Sequence, residues 1–256
     1  MVAMNSQQSA NLPVRRAVKR LFDIAISLLL LAVFMPIILM TALAVRLTSA
    51  GPLFYMQPRV GLNGQIFHIV KFRTMIVGAD KAGPSVTSVD DVRITSIGRF
   101  MRKSKLDELP QLFNVLRGDM SLVGPRPQVP AFVEHFEANL RQEVLSVPPG
   151  VTGITALCFR NEESMLANIK DREKYYIDRI LPAKLEIDAW YVRNSGVLTD
   201  LFLLWSTAWL LAGSVFRSFH GRVEPDHDEK RVARIVKRYT DLCPASDFPE
   251  ECVPSR

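Results

Sequence analysis

The sequence predicts an α+β fold, mainly helical, built on an N-terminal membrane helix. Three observations predict it. Apolar residues make up 48% of the 256-residue chain, and much of that content sits in two blocks, residues 21–45 and 197–216. Between the blocks, two β-rich runs flank a glycine-containing turn. The remainder of the middle carries apolar residues at helical spacing. The expected division is a flank at 1–17, a membrane helix at 18–50, a folded domain at 51–216 and a polar tail at 217–256.

The first block reads LFDIAISLLLLAVFMPIILMTALAV. Its 25 residues make a helix of about 37 Å, enough to cross a ~30 Å hydrocarbon core. It is too long for a cleavable signal peptide, and no small-residue cleavage site follows it. Pro36 near its middle removes one hydrogen bond and presses on the Ala32 carbonyl, so a kink is expected there. Asp23 lies near the start, where the positive end of a helix tolerates an anion. Arg15, Arg16, Lys19 and Arg20 precede the block, and Arg46, Arg59, Lys71 and Arg73 follow it. Positive charge marks the cytoplasmic side, and here it marks both sides. A helix that bends at Pro36 and leaves on the face it entered satisfies that pattern; an ordinary kinked span remains the alternative.

The strands come next. Leu53-Phe54-Tyr55 and residues 65–72 read as strands joined at Gly61-Leu62-Asn63-Gly64. Residues 94–102 form a short amphipathic segment. Leu106, Leu109, Leu112, Phe113 and Leu116 follow helical spacing, and Gly118 is placed to end that helix. Gly124-Pro125-Arg126-Pro127 is a rigid turn. Residues 130–147 read as one helix, broken by Pro148-Pro149-Gly150. Residues 162–194 are helical with a break near Pro182. The second apolar block holds Asp200, Trp205 and Trp209; tryptophan suits the head-group level and Asp200 disfavours a full span, so an interfacial amphipathic helix is expected, with a buried core helix as the alternative. The tail is expected to hold a peripheral helix at about 229–239.

The net charge of +6 suits nucleic acid, anionic lipid or phosphorylated substrates. No helix-turn-helix or zinc-finger pattern is present, so nucleic acid is not an expected partner. The three cysteines, Cys158, Cys243 and Cys252, form no C-x-x-C pair and suit a reducing compartment. His68, His135, His220 and His227 lack metal-ligand spacing, and no Walker or Rossmann glycine loop appears.

One pair of residues can carry chemistry. Asp107 and Glu108 precede Pro110, which is tolerated only in a first turn, so both are expected in the opening turn of a helix starting near residue 105 or 106. Ser104 as the cap would put Pro110 too deep. Free N–H groups there stabilise carboxylates and attract phosphate. Of two adjacent carboxylates, one can hold magnesium against phosphate oxygens and the other can attack phosphorus. Acidic residues also occur in first turns simply as caps. Arg102, Lys103 and Lys105 lie beside the pair, Lys71 and Arg73 sit on a strand, and Arg126 is fixed between prolines as a fork for phosphate. Each of these cations alone is equally compatible with a solvated surface.

Together the stretches KRLFDIAISLLLL, Gly51-Pro52-Leu53-Phe54, RVGLNGQIFHIVKFRTM, GRFMRKSKLDELPQLFNVLRGDMSLVGPRP and Pro-Gly-Val-Thr-Gly at 149–153 resemble the bacterial sugar transferases, the monotopic polyprenyl-phosphate phosphoglycosyl transferases. The resemblance covers residues 18–211, and its 98–127 block is highly specific. It implies a re-entrant membrane helix and a catalytic domain on the cytoplasmic face of the bacterial inner membrane, in contact with anionic lipid. It implies transfer of a sugar 1-phosphate from a UDP-sugar to undecaprenyl phosphate with release of UMP, the first membrane step of exopolysaccharide, lipopolysaccharide or capsule synthesis. Asp107 would be the nucleophile that carries the phosphosugar, with Glu108 supporting Mg2+ and catalysis; Arg102, Arg126, Lys71 and Arg73 would bind phosphate. Asp188 and Asp200 match acidic positions near the family's C-terminal helices. The chain has Pro148-Pro149-Gly150 where many members have Arg-Pro-Gly, and residues 154–163 depart from the usual Trp-Ala-Gln-Val-Asn-Gly-Arg, which leaves the sugar open. The multi-span N-terminal half of larger members is missing, as expected of a short form, and self-association is left open. The competing readings are a membrane-anchored binding protein without catalysis and a direct-transfer enzyme without a covalent intermediate.

Overall fold

The computed structural model describes residues 12–80, 82–83, 86–88, 91–160, 162–166 and 169–220. The expected tail helix at about 229–239 lies outside the described residues. The described chain is mainly helical, with two small two-stranded sheets.

Helix α1, Leu12–Thr48, is 37 residues and about 55 Å long. It begins well before the apolar block, because the basic flank is also helical. Asp23, Ser27, Leu31, Ile38, Thr41 and Val45 are buried, and their three- and four-residue steps define one stripe along nearly the whole helix. Leu21, Leu28, Leu29, Val33, Leu39, Met40, Leu43 and Leu47 are exposed on the other faces. Pro36 lies inside this helix without ending it. The helix is long and apolar enough to cross a membrane.

Strands β1, Phe54–Val60, and β2, Ile66–Phe72, pair antiparallel from Phe54 opposite Phe72 to Val60 opposite Ile66. The turn falls at the expected Gly61–Gly64, where Asn63 takes φ 54°. β1 runs further than Leu53–Tyr55 suggested; it pairs on one side only, which tolerates Pro58. Phe54 and Phe72 stack across the ladder with centroids 5.4 Å apart.

Helix α2, Ser96–Ser104, is capped by the Thr95 hydroxyl, which accepts from the Gly98 N–H at 3.0 Å. Helix α3, Gln111–Arg117, ends at Gly118 as its sequence requires; φ is 98°, and its N–H reaches Asn114 O and Val115 O. Buried Asn114 docks α3 on β2, accepting from the Val70 N–H at 3.0 Å and donating to His68 O at 2.8 Å.

Strand β3, Ser121–Val123, pairs parallel with β4, Gly150–Thr152. A Cβ on Gly150 would lie 2.1 Å from the Gly124 nitrogen, so the strand after the prolines passes too close to the Arg126 turn for a side chain. The expected helix over 130–147 is two: α4, Pro130–Val133, and α5, Ala138–Val144. Packing overrides local propensity here. α5 is tied to a later helix, residues 181–194, by Arg193 and Glu143, and just past its end Leu145 O accepts from the Asn63 N–H in the hairpin turn.

The expected 162–194 helix is likewise divided, into α6, Ile154–Cys158, ahead of it, then α7, Glu162–Met165, α8, Arg172–Tyr175, a π-turn at Tyr176–Ile180, and α9, Leu181–Asn194. The expected break near Pro182 is not found: the backbone stays helical from Arg172 to Asn194, widening to a π-turn just before Pro182, and the interruption falls ahead of it near Asp171. Helix α10, Val197–His220, follows. Leu203 and Leu210 face the core, while Leu198, Trp205 and Trp209 are exposed.

Candidate active site

Asp107 and Glu108 do not open a long helix. Lys105 ends α2 with φ 59°, and a single 3₁₀ turn, Leu106–Glu108, carries the pair to Pro110 at the cap of α3. The expected start at residue 105 or 106 is thus corrected to Gln111. Pro110, having no N–H to donate, sits at the helix boundary rather than inside it. Ser104 is not a cap; its hydroxyl donates back to Phe100 O at 2.9 Å.

The two carboxylates have unlike surroundings. Glu108 Oε1 accepts from Lys71 Nζ at 3.1 Å and from Arg126 Nη2 at 2.7 Å, so the strand lysine and the Pro-Arg-Pro arginine meet on it. Burial pushes the Glu108 carboxyl up, but the Arg126, Lys71 and Lys105 charges outweigh it and hold it well below the usual carboxylate range. Asp107 is 6% exposed, and its Oδ1 has no hydrogen-bond partner. Burial, reinforced by the Glu108 charge, raises its pKa to about 6. One carboxylate is therefore saturated by cations, while the other is desolvated and has an oxygen free.

Arg59 completes the cluster and was missed as a site residue. Its guanidinium donates to Pro127 O at 2.9 Å and to Gln57 Oε1 at 2.6 Å. Burial and the nearby Arg126 lower its pKa to about 10. The signal was the strand register: Arg59 opposes Phe67 and Tyr55 opposes Lys71, so two-residue alternation puts Arg59 and Lys71 on one face of the hairpin. Arg59, Lys71 and Arg126 thus surround a single fully charged carboxylate. Excess part-buried positive charge of this kind suits an anion, and a phosphate fits the arginine forks.

The other expected residues are dispersed. Arg102 pairs with Glu163 at 3.2 Å, and its charge acts on Asp107. Arg73 turns away from Lys71: its Nη2 donates to Ser49 O at 2.6 Å, beyond the end of α1, and its guanidinium packs on Gly51. Asp188 is buried, accepts from the Thr155 hydroxyl at 2.8 Å and faces the Arg126 backbone N–H; burial raises its pKa to about 7. Asp200 stands apart from the Asp107 cluster. It is 1% exposed, ion-paired to Lys19 at 2.9 Å, and accepts from the Tyr191 hydroxyl at 2.7 Å. Pro36 is exposed in the middle of α1. Among the described residues, no three His, Cys, Asp or Glu side chains group as a metal cage.

The described residues thus combine a cation-lined carboxylate pair with one helix long and apolar enough to cross a membrane. Residues 14–214 match the bacterial sugar transferase family, and the chain belongs to that family. It is 41% identical over 187 residues to an uncharacterized sugar transferase, EpsL, of Bacillus subtilis, covering 73% of this chain and 83% of that protein. It is 33% identical over 197 residues to a UDP-N-acetylgalactosamine-undecaprenyl-phosphate N-acetylgalactosaminephosphotransferase of Aeromonas hydrophila, covering 76% of this chain and 44% of that one. It is 36% identical over 192 residues to a UDP-glucose:undecaprenyl-phosphate glucose-1-phosphate transferase of Klebsiella pneumoniae, covering 74% of this chain and 39% of that one. The chain therefore spans less than half the length of these last two relatives.

Proposed function

We propose that this chain transfers a sugar 1-phosphate from a UDP-sugar to undecaprenyl phosphate, with Asp107 as the nucleophile. The observation that carries this is the division between the carboxylates: Glu108 is locked between Lys71 and Arg126, whereas Asp107 keeps a buried, unpartnered oxygen beside the same cations. The names of the relatives from A. hydrophila and K. pneumoniae support the same donor and acceptor classes.

An Asp107 oxygen attacks the sugar-bearing phosphorus, a new P–O bond forms, and the P–O bond to UMP breaks. UMP leaves with that electron pair. An oxygen of undecaprenyl phosphate then attacks the same phosphorus, the bond to Asp107 breaks, and the carboxylate is restored with release of undecaprenyl diphosphate sugar. Neither step needs a proton base; both need charge neutralised around phosphorus. Arg126, Lys71 and Arg59 supply fixed cations, and Arg102 adds a further one close to Asp107.

Asp107 suits a magnesium ion of the kind that takes one or two carboxylates and draws its other ligands from substrate phosphates and water, and Glu108, held by Lys71 and Arg126, would support it from beside. When bound, it would neutralise phosphate charge at the reacting centre; Asp107 would hold it through one carboxylate oxygen and keep the other for attack.

The same reading makes α1 re-entrant, with the domain on the cytoplasmic face of the inner membrane and α10 lying in the interface through Trp205 and Trp209. Its support is that both ends of α1 are tied to one domain: Arg15 donates to Ser195 O at 2.9 Å near the start, and Arg73 donates to Ser49 O at 2.6 Å just past the end. A straight span would place Ser195 and Arg73, both in the proposed domain, on opposite sides of the membrane. The proposed division is thus a membrane helix at 18–50 and a catalytic domain at 51–216.

The test is UMP release by the purified chain with undecaprenyl phosphate, magnesium and a panel of UDP-sugars. Turnover with at least one donor is expected. Silence across the panel by folded protein would leave the non-catalytic reading standing.

A further inference from the structure

We propose that Lys184 and Tyr176 are positioning residues for Arg126, so that the phosphate-binding turn is set from helix α9. The inference rests on the proposed phosphate-binding role of Arg126.

Lys184 is 3% exposed. Its ammonium lies 5.2 Å from the Phe159 ring centroid and 4.9 Å from that of Tyr176, and it pairs with Glu162. A lysine is costly to bury, and two aromatic faces with one carboxylate are what make this one tolerable. Nothing in the transfer chemistry uses it.

Its hydrogen bonds lead to the turn. Lys184 Nζ donates to the Tyr176 hydroxyl at 3.4 Å, and that hydroxyl donates to Gln128 Oε1 at 3.0 Å. An ammonium has only donors, so it forces the Tyr176 oxygen to accept and directs the hydroxyl proton to Gln128. Gln128 directly follows Pro127, and its carbonyl accepts from the Val60 N–H at 3.0 Å. The rigid Pro125-Arg126-Pro127 segment transmits any shift of Gln128 to Arg126. One helical turn beyond Lys184, on the same face of α9, Asp188 meets the Arg126 backbone N–H and the Thr155 hydroxyl. From the other side, Arg59 donates to Pro127 O. The arginine that grips Glu108 is thus held at its own N–H, at the following carbonyl and at the residue after that. Glu162, the partner of Lys184, also acts electrostatically on Arg126.

The test is a double-mutant cycle on the full chain in detergent micelles. UDP is the probe, titrated calorimetrically with magnesium. Tyr176→Phe removes only the hydroxyl, Lys184→Met removes the ammonium, and Lys184→Arg keeps a cation. In the parent, Tyr176→Phe and Lys184→Met are expected to weaken UDP binding by about 5- to 10-fold, with Lys184→Arg recovering part of the loss. In an Arg126→Ala background, the same changes are expected to alter binding by less than about 2-fold. Equal losses in both backgrounds, or unchanged binding in folded Tyr176→Phe, would overturn the inference. Should Lys184→Met fail to fold, Tyr176→Phe decides alone. A parent that does not bind UDP at all contradicts the phosphate site itself and takes this inference with it; a parent that binds, with additive losses, overturns only the positioning role.

Discussion

At the scale of single residues, two neighbouring carboxylates have been given different work by their contacts. Glu108 is neutralised on one oxygen by two cations, and Asp107 is stranded in low dielectric with one oxygen free. Asp107→Asn is therefore expected to lower turnover by at least ~1,000-fold while raising the thermal midpoint of metal-free protein, because it removes a buried charge whose desolvation outweighs the help of Lys71, Lys105 and Arg102. Glu108→Gln is expected to do the opposite to stability, leaving Lys71 and Arg126 facing each other without a counter-charge; thermal melts of both variants check the pair. Asp188 gives the pH dependence. Its folded pKa of about 7 lies above the ordinary 3.8, so below about pH 4 it is protonated folded or unfolded and contributes nothing. As pH rises from 4 to 7 the unfolded chain loses the proton first, and stability falls. Lys184, the Thr155 hydroxyl and the Arg126 N–H face the carboxyl and oppose that loss. Asp188→Asn should flatten the slope and be more stable than the parent at pH 8, as read by urea midpoints at pH 5 and pH 8. The adjacency of Asp107 and Glu108 to lysines was legible in the sequence. Their unequal environments were not, because Arg59, Arg126 and Lys71 reach them from three separate elements.

At the scale of elements, α1 does more than anchor. Arg20 donates through both terminal nitrogens to Val115 O and Leu116 O, closing the C-terminal end of α3, whose other end follows the Leu106–Glu108 turn. Lys19 lies between the Asp23 and Asp200 carboxylates at 3.2 and 2.9 Å, joining α1 to α10. Asp23 and Asp200 are 3% and 1% exposed, so Lys19→Met leaves two buried carboxylates without their cation. Such a change costs about 3 kcal/mol. A drop of that size in unfolding free energy is expected, with Asp200→Asn milder. The hairpin turn and the Gly118 stop were legible, since glycine acts locally. The parallel pairing of β3 with β4 was not: three-residue strands leave no periodicity, and their register is fixed by the close pass of Gly150 over Gly124. Nor was the division of residues 130–147, whose apolar spacing continues across a break that packing against α9 imposes.

At the scale of the whole molecule, the exposed face of α1 and the exposed Leu198, Trp205 and Trp209 of α10 give the chain its apolar exterior, while the site is assembled from the hairpin, the 3₁₀ turn and the Arg126 turn on the domain. An acceptor whose phosphate is tethered to the membrane requires such a site close to the bilayer surface. Single cysteines replacing Arg16 and Ala50 should label from the same side of sealed vesicles; opposite sides would show a straight span. The long apolar helix and the block at 98–127 were legible because length, hydropathy and motif spacing are one-dimensional. The ties of both helix ends to one domain are long-range contacts that no local pattern reveals. The account rests most heavily on covalent capture of the phosphosugar by Asp107, and intact-mass analysis of the chain after reaction with its UDP-sugar, without acceptor lipid, tests that directly. The account predicts a gain of one sugar phosphate mapping to Asp107, absent in Asp107→Asn and discharged by undecaprenyl phosphate. An active preparation that turns over both substrates yet never carries the added mass would contradict it.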